Sequence, residues 1–406
     1  MVERPTSMPQ ADTAVTSPAE SGKVPKDMAK SATSGRNAAK HRGRRPAAPA
    51  SSHRPPNSAA SASSRFGDQP GHHDRGGWNA RRAYAAIDLG TNNCRLLIAK
   101  PAADGFVVVD AFSRVVRLGE GLGQSGRLSD AAMDRAVAAL SICADKLRRR
   151  HVALARSVAT EACRKASNGP AFIDRVRRET GIVLDIITAE EEARLAVLGC
   201  HILLEPGDGP ALIFDIGGGS TELVLVDSSG PVPDILDWMS VPWGVVTLTE
   251  SERFDSEDAP SRSAAYDRMR ARVMDAFAPF ASRLPALPDA ERRLLGTSGT
   301  VTTLASLHLD LPCYNRDAID GLIVPSESMR AISARLAGMS LQQRRELPCI
   351  GKERADLVVA GCAILESILD IWPAMRLGVA DRGIREGILR ALMGRDAPST
   401  RPEQRG

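Results

Sequence analysis

The segment Leu212–Val226, LIFDIGGGSTELVLV, places three consecutive glycines between two apolar, β-branched runs, with an acidic residue on each side. A hairpin turn needs only one or two glycines, and each further glycine adds entropy to the unfolded chain. Without Cβ atoms, however, the backbone N–H groups of such a turn can approach an anion such as a phosphate closely. Asp215 and Glu222 would then need a cation between them and that anion. A glycine-rich hairpin that only reverses the chain is the alternative.

The charges of the 406-residue chain are distributed unevenly. Residues 1–82 carry 14 Lys/Arg against 6 Asp/Glu, a net charge of +8, whereas residues 83–406 carry 39 against 43, a net charge of −4. The first segment is rich in Ala, Ser, Pro and Arg, and Phe66 and Trp78 are its only aromatic residues. It therefore has too little apolar surface to offset the entropy of ordering, and we expect a disordered basic tail.

Hydropathy and cysteine content restrict the compartment. The tail has no continuous apolar core of the kind that a secretory signal requires, and no segment approaches the roughly 18 uninterrupted apolar residues of a membrane span. The seven cysteines are scattered and never form a C-x-x-C pair, which argues against a zinc or disulfide framework and for a reducing compartment. We expect a cytoplasmic protein whose partners include neither a membrane nor a specific nucleic acid. A homodimer stays open.

From Tyr84 the pattern becomes that of a folded α/β unit. YAAIDLGTNNCRLLIAK and GFVVVDAFSRVVRLG predict three antiparallel strands in a meander. The stretch LSDAAMDRAVAALSICADKLRRR predicts an amphipathic helix with Ser129 as its N-cap and three arginines at its C-terminal end. The order βββαβαβα is completed by a strand near Arg156–Ala159, a helix from about Pro170 to Thr180 that Gly181 ends, the strand IVLDIIT and a helix from Glu190 to about Leu203.

The glycine-rich hairpin begins a second unit that is similar to the first. When AIDLGTNNCRLLIA is set over IFDIGGGSTELVLV, Asp88 aligns with Asp215 and Gly90 with Gly217, at an offset of 127 residues. We predict that this hairpin is followed by a strand over ILDWMSVPWGVVTLTE, a helix within 261–284, the strand RRLLGTSG leading into a helix, a helix within 354–369, the strand AMRLGVA and a last helix from Gly383. The chain is thus a duplicated α/β protein in which two phosphate loops face a cleft, where ligands commonly bind.

Seven motifs occur in this order along residues 84–395: DLGTNNCRLL, RLGEGLGQSGRLSDAAMDRA, ATEACRKASNG, EEEARL, DIGGGSTELV, GTSGTVTTLA and DRGIREGIL. Together they resemble the exopolyphosphatase and guanosine pentaphosphate phosphohydrolase (Ppx/GppA) family of the actin, sugar kinase and heat-shock chaperone superfamily. The resemblance implies two ribonuclease H-like, actin-like ATPase domains, which we place at 83–200 and 201–395, with a C-terminal tail at 396–406. Longer family members append a helical His-Asp domain, so we expect the short two-domain form here.

Each hairpin turn offers groups that can hold a phosphate. These are backbone N–H groups with hydroxyl and amide donors, from Gly90, Thr91, Asn92 and Asn93 in the first turn and from Gly217, Gly218, Gly219 and Ser220 in the second. Hydrolysis of a phosphoanhydride needs held phosphate oxygens, neutralised charge and a water in line with the leaving group. The family pattern has Ser-Asn-Ser after the first glycine, whereas this chain has Thr-Asn-Asn, so Asn93 presents its donor on a longer side chain. A plain Asn-rich hairpin is the alternative for the first turn.

Asp215 and Glu222 flank the second turn at positions from which both carboxylates can point toward the cleft. Hard oxygen ligands suit Mg²⁺, which keeps several of its waters in protein sites. The family resemblance implies the same Mg²⁺-linked role for both residues. Asp88, the symmetry mate of Asp215, is expected to act through a water. An exposed strand carboxylate is the alternative for Glu222.

Glu192 and Arg164 are assigned roles by the resemblance. AEEEARL holds three adjacent glutamates at the start of a helix, where negative charge is favourable in any case. Successive residues are about 100° apart around a helix, so only one of the three can share the cleft-facing side with a given neighbour. The family's catalytic glutamate precedes Ala-Arg, which implies Glu192 as the general base for the attacking water. Arg164 matches the family arginine that holds phosphate, and its planar guanidinium suits bidentate binding.

The stretch LLGTSGTVTTL predicts a strand that runs through a glycine-containing turn into a helix. Its turn residues lie where a helix N-terminus can receive an anion, and they are Gly296, Thr297, Ser298, Gly299 and Thr300. In the superfamily this region faces a nucleotide. Whether it binds one in this chain stays open.

The leading functional hypothesis is Mg²⁺-dependent release of terminal phosphate from inorganic polyphosphate. Guanosine pentaphosphate is the alternative substrate, because it also exposes a terminal phosphoanhydride, and no single residue separates the two. A small-molecule kinase of the superfamily would need an ATP site and an acceptor pocket, and EEEARL and RLGEGL argue against it. A non-catalytic polyphosphate or nucleotide sensor needs no water-activating base, so Glu192 argues against that alternative.

Overall fold

The computed structural model describes residues 82–103, 105–252 and 258–396. The predicted basic tail, apart from Arg82, and the C-terminal tail beyond Asp396 lie outside the described residues. None of the helices in the described ranges combines the length and apolar character needed to cross a membrane.

The first half of the described chain contains five strands and five helices: β1 (Ala83–Leu89), β2 (Asn93–Ala102), β3 (Gly105–Val115), α1 (Leu122–Ser125), α2 (Asp130–Arg149), β4 (Val152–Ala159), α3 (Glu161–Lys165), α4 (Gly169–Thr180), β5 (Asp185–Ile186) and α5 (Ala189–Cys200). The strands form one sheet in the order β3-β2-β1-β4-β5. Strands β1 to β3 make the predicted antiparallel meander, and β4 joins β1 in parallel.

The second half repeats this plan with further helices: β6 (Pro210–Ile216), β7 (Thr221–Asp227), β8 (Asp234–Val241), α6 (Val245–Ser251), α7 (Ala259–Ala281), β9 (Arg293–Thr297), α8 (Gly299–His308), α9 (Arg316–Ile319), β10 (Ile323–Pro325), α10 (Ser326–Gly338), α11 (Leu341–Arg345), α12 (Val358–Ile371), β11 (Arg376–Ala380) and α13 (Ile384–Asp396). Its sheet has the order β10-β11-β9-β6-β7-β8. The antiparallel meander β6 to β8 and the parallel neighbour β9 correspond to β1 to β4, which confirms the predicted duplication.

Side chains of β1 alternate between two layers, because successive residues of a strand point to opposite faces. The odd-numbered residues of Ala83–Leu89 pack into the core that contains α2 and α4, whereas Tyr84 and Ala86 pack with α13. Asp88 continues the second series at the C-terminal end of the strand. Strand β1 is therefore buried on both faces and carries its only acid on the face toward α13, which we call the inner face.

Strands β6 and β7 repeat the alternation in the second sheet. Residues Leu212 and Phe214 pack into the large core that contains α7 and α12, whereas Ala211 and Ile213 pack with α5. Asp215 follows the second series, and its register partner on β7 is Glu222. Because opposite residues of an antiparallel pair share a face, both acids belong to the inner face of this sheet.

Helices α5 and α13 lie between the inner faces of the two sheets. Helix α13 packs on β1 and β2, α5 packs on β6, β7 and β8, and the helices contact each other. Glycines allow this close crossing, because a Cβ at Gly199 would overlap the backbone of Gly383 and one at Gly387 would overlap that of Leu195. Helix α5 is therefore shared, because it packs on the second sheet and, through Leu195 and Ala196, also packs in the cluster of β1 and α13. The domain boundaries at 200/201 and 395/396 stay a prediction.

Several predicted ends of elements are confirmed. Helix α2 begins after Ser129, whose hydroxyl accepts a hydrogen bond from Ala132 N at 3.3 Å. Helix α4 ends at Gly181, which has a φ of 76° that glycine adopts without strain. These ends were predictable because the signals are local.

Two predicted strands are wrong. The segment ILDWMSVPWGVVTLTE is not one strand, because β8 ends at Val241 and α6 begins at Val245. The amides of Val245 and Val246 donate to the carbonyl oxygens of Gly217 and Gly218 at 3.0 and 2.8 Å, so a tertiary contact overrides the β propensity of this run. The segment IVLDIIT contains only the two-residue strand β5.

Candidate active site

The two hairpin turns have the same closing hydrogen bond. Gly90 N donates to Asn93 O at 2.9 Å, and Gly217 N donates to Ser220 O at 2.9 Å. The alignment of the two units is therefore reproduced in the backbone of their turns.

The carbonyl oxygens of both turns accept hydrogen bonds from backbone N–H groups of neighbouring segments. In the second turn they accept from α6, as described above, and in the first turn Gly119 N donates to Thr91 O at 2.9 Å and Val116 N donates to Asn92 O at 2.8 Å. In a planar trans peptide the N–H group points opposite to the C=O group. The N–H groups of these peptides therefore point away from the bound carbonyls, and both turns line one cleft of about 700 Å³. That they bind phosphate stays a prediction.

The glycines of the second turn are required by its contact with the first turn. A Cβ at Gly218 would lie 2.9 Å from Thr91 Cβ and 3.1 Å from Asn92 N. A Cβ at Gly219 would lie 2.7 Å from Thr91 Oγ1 and 2.9 Å from Glu161 Cγ. Real Cβ atoms do not tolerate such separations from backbone or branched side chains, so the two turns can touch only because these positions are glycine.

Four inner-face residues meet at the ends of the paired strands. Asp88 lies opposite Arg95 on β1 and β2, and Asp215 lies opposite Glu222 on β6 and β7. Asp88, Arg95 and Asp215 line the cleft. The two strand pairs thus bring two acids and one base to the cleft, and Glu222 lies beside Asp215 without lining it.

Glu222 is almost fully buried behind the second turn. Its Oε1 accepts hydrogen bonds from the hydroxyls of Ser220 at 2.7 Å and Ser240 at 2.8 Å. Ser220 belongs to the turn itself and Ser240 to β8, so the orientation of the Glu222 carboxylate is linked to both elements. The predicted role of Ser220 in holding phosphate is therefore combined with a hydrogen bond to this acid.

Burial raises the pKa of every acid in this group. It raises the pKa of Asp215 to about 8, with the charge of Glu222 as the second cause. The pKa of Glu192 is raised well above its ordinary value by burial and then by Glu222, while Arg164 opposes the rise. Burial also raises the pKa of Asp88, which Arg95 opposes, and that of Glu222, which its two serine hydrogen bonds oppose. These acids destabilise one another's charge, and a bound cation would relieve that repulsion.

The acids fit a hydrated magnesium ion. In the described ranges, no group of three or more His, Cys, Asp or Glu is arranged to ligate a metal directly. Mg²⁺ commonly takes only one or two carboxylates and fills its shell with waters and phosphate oxygens, so a pair of acids is sufficient. Asp88 Oδ1 is buried without a hydrogen-bond partner among the described residues, as expected of an oxygen that contacts an ordered water or ion. A Mg²⁺ site at Asp215 and Glu222 remains a prediction.

Of the three adjacent glutamates, only Glu192 lines the cleft. It lies in the first turn of α5, which Thr188 caps by accepting a hydrogen bond from Glu191 N at 3.1 Å. Glu191 turns away and binds Arg156 at 2.7 Å, and Glu190 is exposed. Glu192 is therefore the one of the three that reaches the cleft, and its role as general base stays a prediction.

Arg164 is engaged with acids next to Glu192. Its Nη1 donates to Glu192 Oε2 at 3.1 Å and to Ile187 O at 2.8 Å, while Nε and Nη2 donate to Glu161 Oε2 at 3.1 and 2.5 Å. The guanidinium thus lies between two carboxylates, and its predicted contact with phosphate stays a prediction.

The loop between β9 and α8 also reaches the cleft. Thr297, Ser298, Gly299 and Thr300 line it, and the Ser298 hydroxyl caps α8 by accepting from Val301 N at 3.0 Å. Gly296 does not line it. A Cβ at Gly296 would lie 2.9 Å from Cε2 of the Phe214 ring, so this glycine serves packing between β9 and β6.

Sequence reasoning missed two arginines that line the cleft and come from different halves of the chain. Arg95 belongs to β2, and Arg354 precedes α12. Within the described ranges neither side chain makes a hydrogen bond or salt bridge, and burial followed by the charge of Arg95 lowers the pKa of Arg354. Two nearby cations without a bound carboxylate form a site for an anion. The signal that could have revealed Arg95 is its alignment with Glu222, 127 residues later.

The chain is similar to members of a phosphatase family. The family model of the Ppx/GppA phosphatase family matches residues 97–396. Exopolyphosphatase 2 of Mycobacterium tuberculosis is 32% identical over 323 residues, which are 76% of this chain and 98% of the relative. A putative exopolyphosphatase of Haemophilus influenzae is 27% identical over 77% of this chain and 91% of its own length.

Solved structures show the same architecture. The crystal structure of the Aquifex aeolicus member of the Ppx/GppA family matches with a TM-score of 0.65 and 27% identity, over 78% of this chain and 99% of that one. An exopolyphosphatase from Cytophaga hutchinsonii matches with a TM-score of 0.68 and 24% identity, over 77% and 98% of the two chains. The predicted fold class, a two-lobed α/β chain of the actin-like type, is confirmed by these matches.

Proposed function

This chain belongs to the Ppx/GppA phosphatase family, and we propose that it is an exopolyphosphatase, which releases terminal orthophosphate from inorganic polyphosphate. The observation that carries the proposal is the cleft itself. One cleft holds the carboxylate of Glu192, the amides of two turns, and the cations Arg95 and Arg354, which have no hydrogen bond or salt bridge to another described residue. A chain of phosphates needs all three kinds of group.

The cations and turns divide the work of binding. The turns hold the terminal phosphate, whose oxygens accept hydrogen bonds from backbone N–H groups. Arg95 and Arg354 bind the phosphates that follow, because a guanidinium matches the geometry of a phosphate and keeps its charge in a partly buried site. A linear polyanion satisfies two such cations at once, whereas a lone orthophosphate can satisfy only part of the cleft.

Glu192 accepts the proton of the attacking water. Its raised pKa makes it a stronger base than an exposed glutamate, provided that it is ionised when substrate is bound, and the adjacent Arg164 favours that ionised form. Asp215 and Glu222 would hold Mg²⁺, with Asp88 acting through a water. When bound, the metal supplies neutralisation of the charge on the phosphate oxygens.

Guanosine pentaphosphate is a second candidate substrate. One observation favours it, since Thr297–Thr300 and the N-terminus of α8 line the same cleft and offer polar groups to a nucleotide. Polyphosphate is preferred because Arg95 and Arg354 suit repeated phosphates. The proposed location is the cytoplasm, in keeping with seven cysteines that form no disulfide. Whether the chain forms a homodimer stays open.

The test compares phosphate release from long-chain polyphosphate and from guanosine pentaphosphate by the purified full chain, with and without Mg²⁺. We expect kcat/KM to be higher for polyphosphate by at least about tenfold and to depend on Mg²⁺, one factor of ten being about 1.4 kcal/mol of transition-state binding. A higher kcat/KM for guanosine pentaphosphate would replace the substrate. Absence of release from both, with Mg²⁺ present, would overturn the function.

A further inference from the structure

We propose that Glu161 is a positioning residue, which fixes the catalytic carboxylate of Glu192 through the guanidinium of Arg164. The inference rests on the proposed function, because it concerns the base of that reaction. Glu161 lies at the start of α3, in the motif ATEACRKASNG, and no role follows for it from the sequence.

The geometry links the two glutamates through one side chain. Glu161 Oε2 accepts from Arg164 Nε and Nη2, and Arg164 Nη1 in turn donates to Glu192 Oε2 at 3.1 Å. Ile187 O, just before α5, accepts from the same Nη1 at 2.8 Å. The guanidinium is thus held by Glu161 and by the carbonyl oxygen of Ile187. Its hydrogen bond to Glu192 Oε2 then determines where the carboxylate of Glu192 lies.

Burial makes this chain of contacts strong. The side chains of Glu161 and Glu192 are 10% and 9% exposed, and that of Arg164 is 22% exposed. Charged hydrogen bonds shielded from water are stronger than surface ion pairs, and removal of one partner leaves the other charge uncompensated. Without Glu161, Arg164 would keep a single acidic partner and would lose two of its fixed contacts.

Glu161 also contacts the second turn. A Cβ atom at Gly219 would lie 2.9 Å from Cγ of Glu161, so the Glu161 side chain lies against this turn. Glu161 also lines the cleft beside the turn. The same side chain therefore packs against the turn that is to hold phosphate and binds the arginine that holds the base. This placement fixes the distance between the two parts of the reaction, which catalysis by a positioned water requires.

The two oxygens of Glu161 have separate partners. Oε2 is bound by Arg164, whereas Oε1 accepts from Lys165 Nζ at 2.7 Å, and Lys165 is 46% exposed. Lys165 makes no contact with Glu192 among the described ion pairs. Replacement of Lys165 therefore removes one cationic partner of the Glu161 carboxylate and leaves the link from Glu161 through Arg164 to Glu192 intact. Lys165 thus provides a matched control.

Arg164 has five N–H donors, and its hydrogen bonds to protein acceptors occupy most of them. In the proposed arrangement its main effect on the reaction is to orient Glu192. Loss of Glu161 should then reduce kcat, because the base is less well placed, without reducing affinity for polyphosphate. Loss of a phosphate ligand would instead raise KM.

The experiment is a double-mutant cycle on the full chain, with steady-state hydrolysis of polyphosphate at saturating Mg²⁺. We expect Glu161→Gln to lower kcat by about 10- to 100-fold, the usual effect of a lost charged hydrogen bond, with KM changed less than about twofold. In an Arg164→Gln background the same substitution should cause little further loss, because the link is already broken. Lys165→Gln should stay within about twofold of the wild type.

Several results would overturn the proposal. Equal losses from Glu161→Gln in both backgrounds would show that Glu161 does not act through Arg164, and a raised KM at unchanged kcat would make it a substrate ligand. A raised Mg²⁺ requirement would make it part of the metal site. Circular dichroism checks folding, and Glu161→Asp, which keeps the charge, tests the same point by partial recovery of kcat. An inactive wild-type chain would instead refute the proposed function.

Discussion

The two hairpins have the same backbone and opposite chemistry. Asp88 and Asp215 end equivalent strands 127 residues apart, and both turns close with the same N–H to C=O hydrogen bond. At the next equivalent position, however, the first hairpin has Arg95 and the second has Glu222. The strands of the first hairpin thus carry one acid and one base at these positions, and those of the second carry two acids.

This difference shows how duplication and substitution divide the tasks of one site. The repeated strand order supplies two turns at a fixed separation, and their contact is close because the second turn is glycine. We propose that a single difference of charge at equivalent positions makes the first hairpin suited to an anion and the second suited to a cation. The two hairpins therefore match in the backbone that positions their residues and differ in the charge of the side chains at one equivalent position.

The largest expected effect is on the base beside the acidic hairpin. Glu192→Gln should lower kcat by roughly 10²- to 10⁴-fold while polyphosphate binding is retained, because a positioned general base contributes about that factor. Steady-state kinetics and a binding assay on the same preparation measure both quantities. Glu190→Gln is the control and should change little, since Glu190 is exposed. Greater sensitivity at Glu190 or Glu191 would assign the base to another position.

A second substitution tests the asymmetry directly. Asp215→Asn should raise the Mg²⁺ concentration for half-maximal rate by about 10- to 100-fold, and Glu222→Gln should act in the same direction, because each weakens the metal's anionic surroundings. The equivalent Asp88→Asn should have a smaller effect. Titration of activity with Mg²⁺ separates these cases. Equal effects of Asp88→Asn and Asp215→Asn would make the two hairpins equivalent toward the metal.

The basic hairpin should matter mainly for binding. Arg95→Gln is expected to raise KM for polyphosphate by about tenfold or more, as loss of a charge-assisted hydrogen bond to phosphate does, with a smaller change in kcat. Arg354→Gln should act in the same direction. The matched control is Arg114→Gln, since Arg114 stacks on Phe112 outside the cleft residues. An unchanged KM for both cleft variants would remove them from the substrate site.

Substitution of one glycine in each turn tests how far the contact between the turns depends on the absence of a Cβ atom. Gly218→Ala would place its Cβ 2.9 Å from Thr91 Cβ, whereas the nearest atom to a Cβ at Gly90 is Asn93 O at 3.6 Å. Overpacking of this kind costs about 1–3 kcal/mol, so Gly218→Ala should lower Tm and kcat/KM, while Gly90→Ala should leave Tm nearly unchanged. Thermal unfolding of the two variants under one set of conditions is the measurement. Equal losses would mean that the turns do not depend on this contact.

The smallest expected effect concerns the basic tail, which lies outside the described residues. Deletion of residues 1–82, with their net charge of +8, should raise KM for long polyphosphate at low salt and leave kcat nearly unchanged, because a cationic segment raises the local concentration of a polyanion. The effect should vanish near 1 M salt, where the Debye length is about 3 Å. Identical KM values for full-length and truncated protein at low salt would show that the tail does not assist binding.

The sequence was most informative where a signal is local or repeated. The cap at Ser129, the stop at Gly181 and the alignment of Asp88 with Asp215 are all readable from neighbouring residues. The duplication predicted two facing turns because equivalent strands must place their ends alike. Glu192 needed more than spacing, since helical geometry alone left three adjacent glutamates and the family pattern selected one of them.

The parts that could not be predicted depend on contacts between distant segments. Helix α6 was predicted as strand because its valines favour strands, and only the carbonyls of the second turn bring its amides into a helix. Arg95 and Arg354 are far apart in sequence, and only the folded chain shows that neither is bound by a carboxylate of another described residue. The i,i+3 spacing of Glu161 and Arg164 can be read from the sequence, but the contact of this pair with Glu192 on α5 is a property of the folded chain.

Helix α13 covers the inner face of β1, although about 300 residues separate Ala83 from Ile384. A ribosome adds roughly 5–20 residues per second, so on the order of 15–60 s pass between the synthesis of β1 and that of the helix that covers it. During this time Tyr84 and Ala86 lack their packing partner, and Gly199 of α5 lacks its neighbour Gly383. The inner face of β1 can therefore be covered only after translation has passed α13.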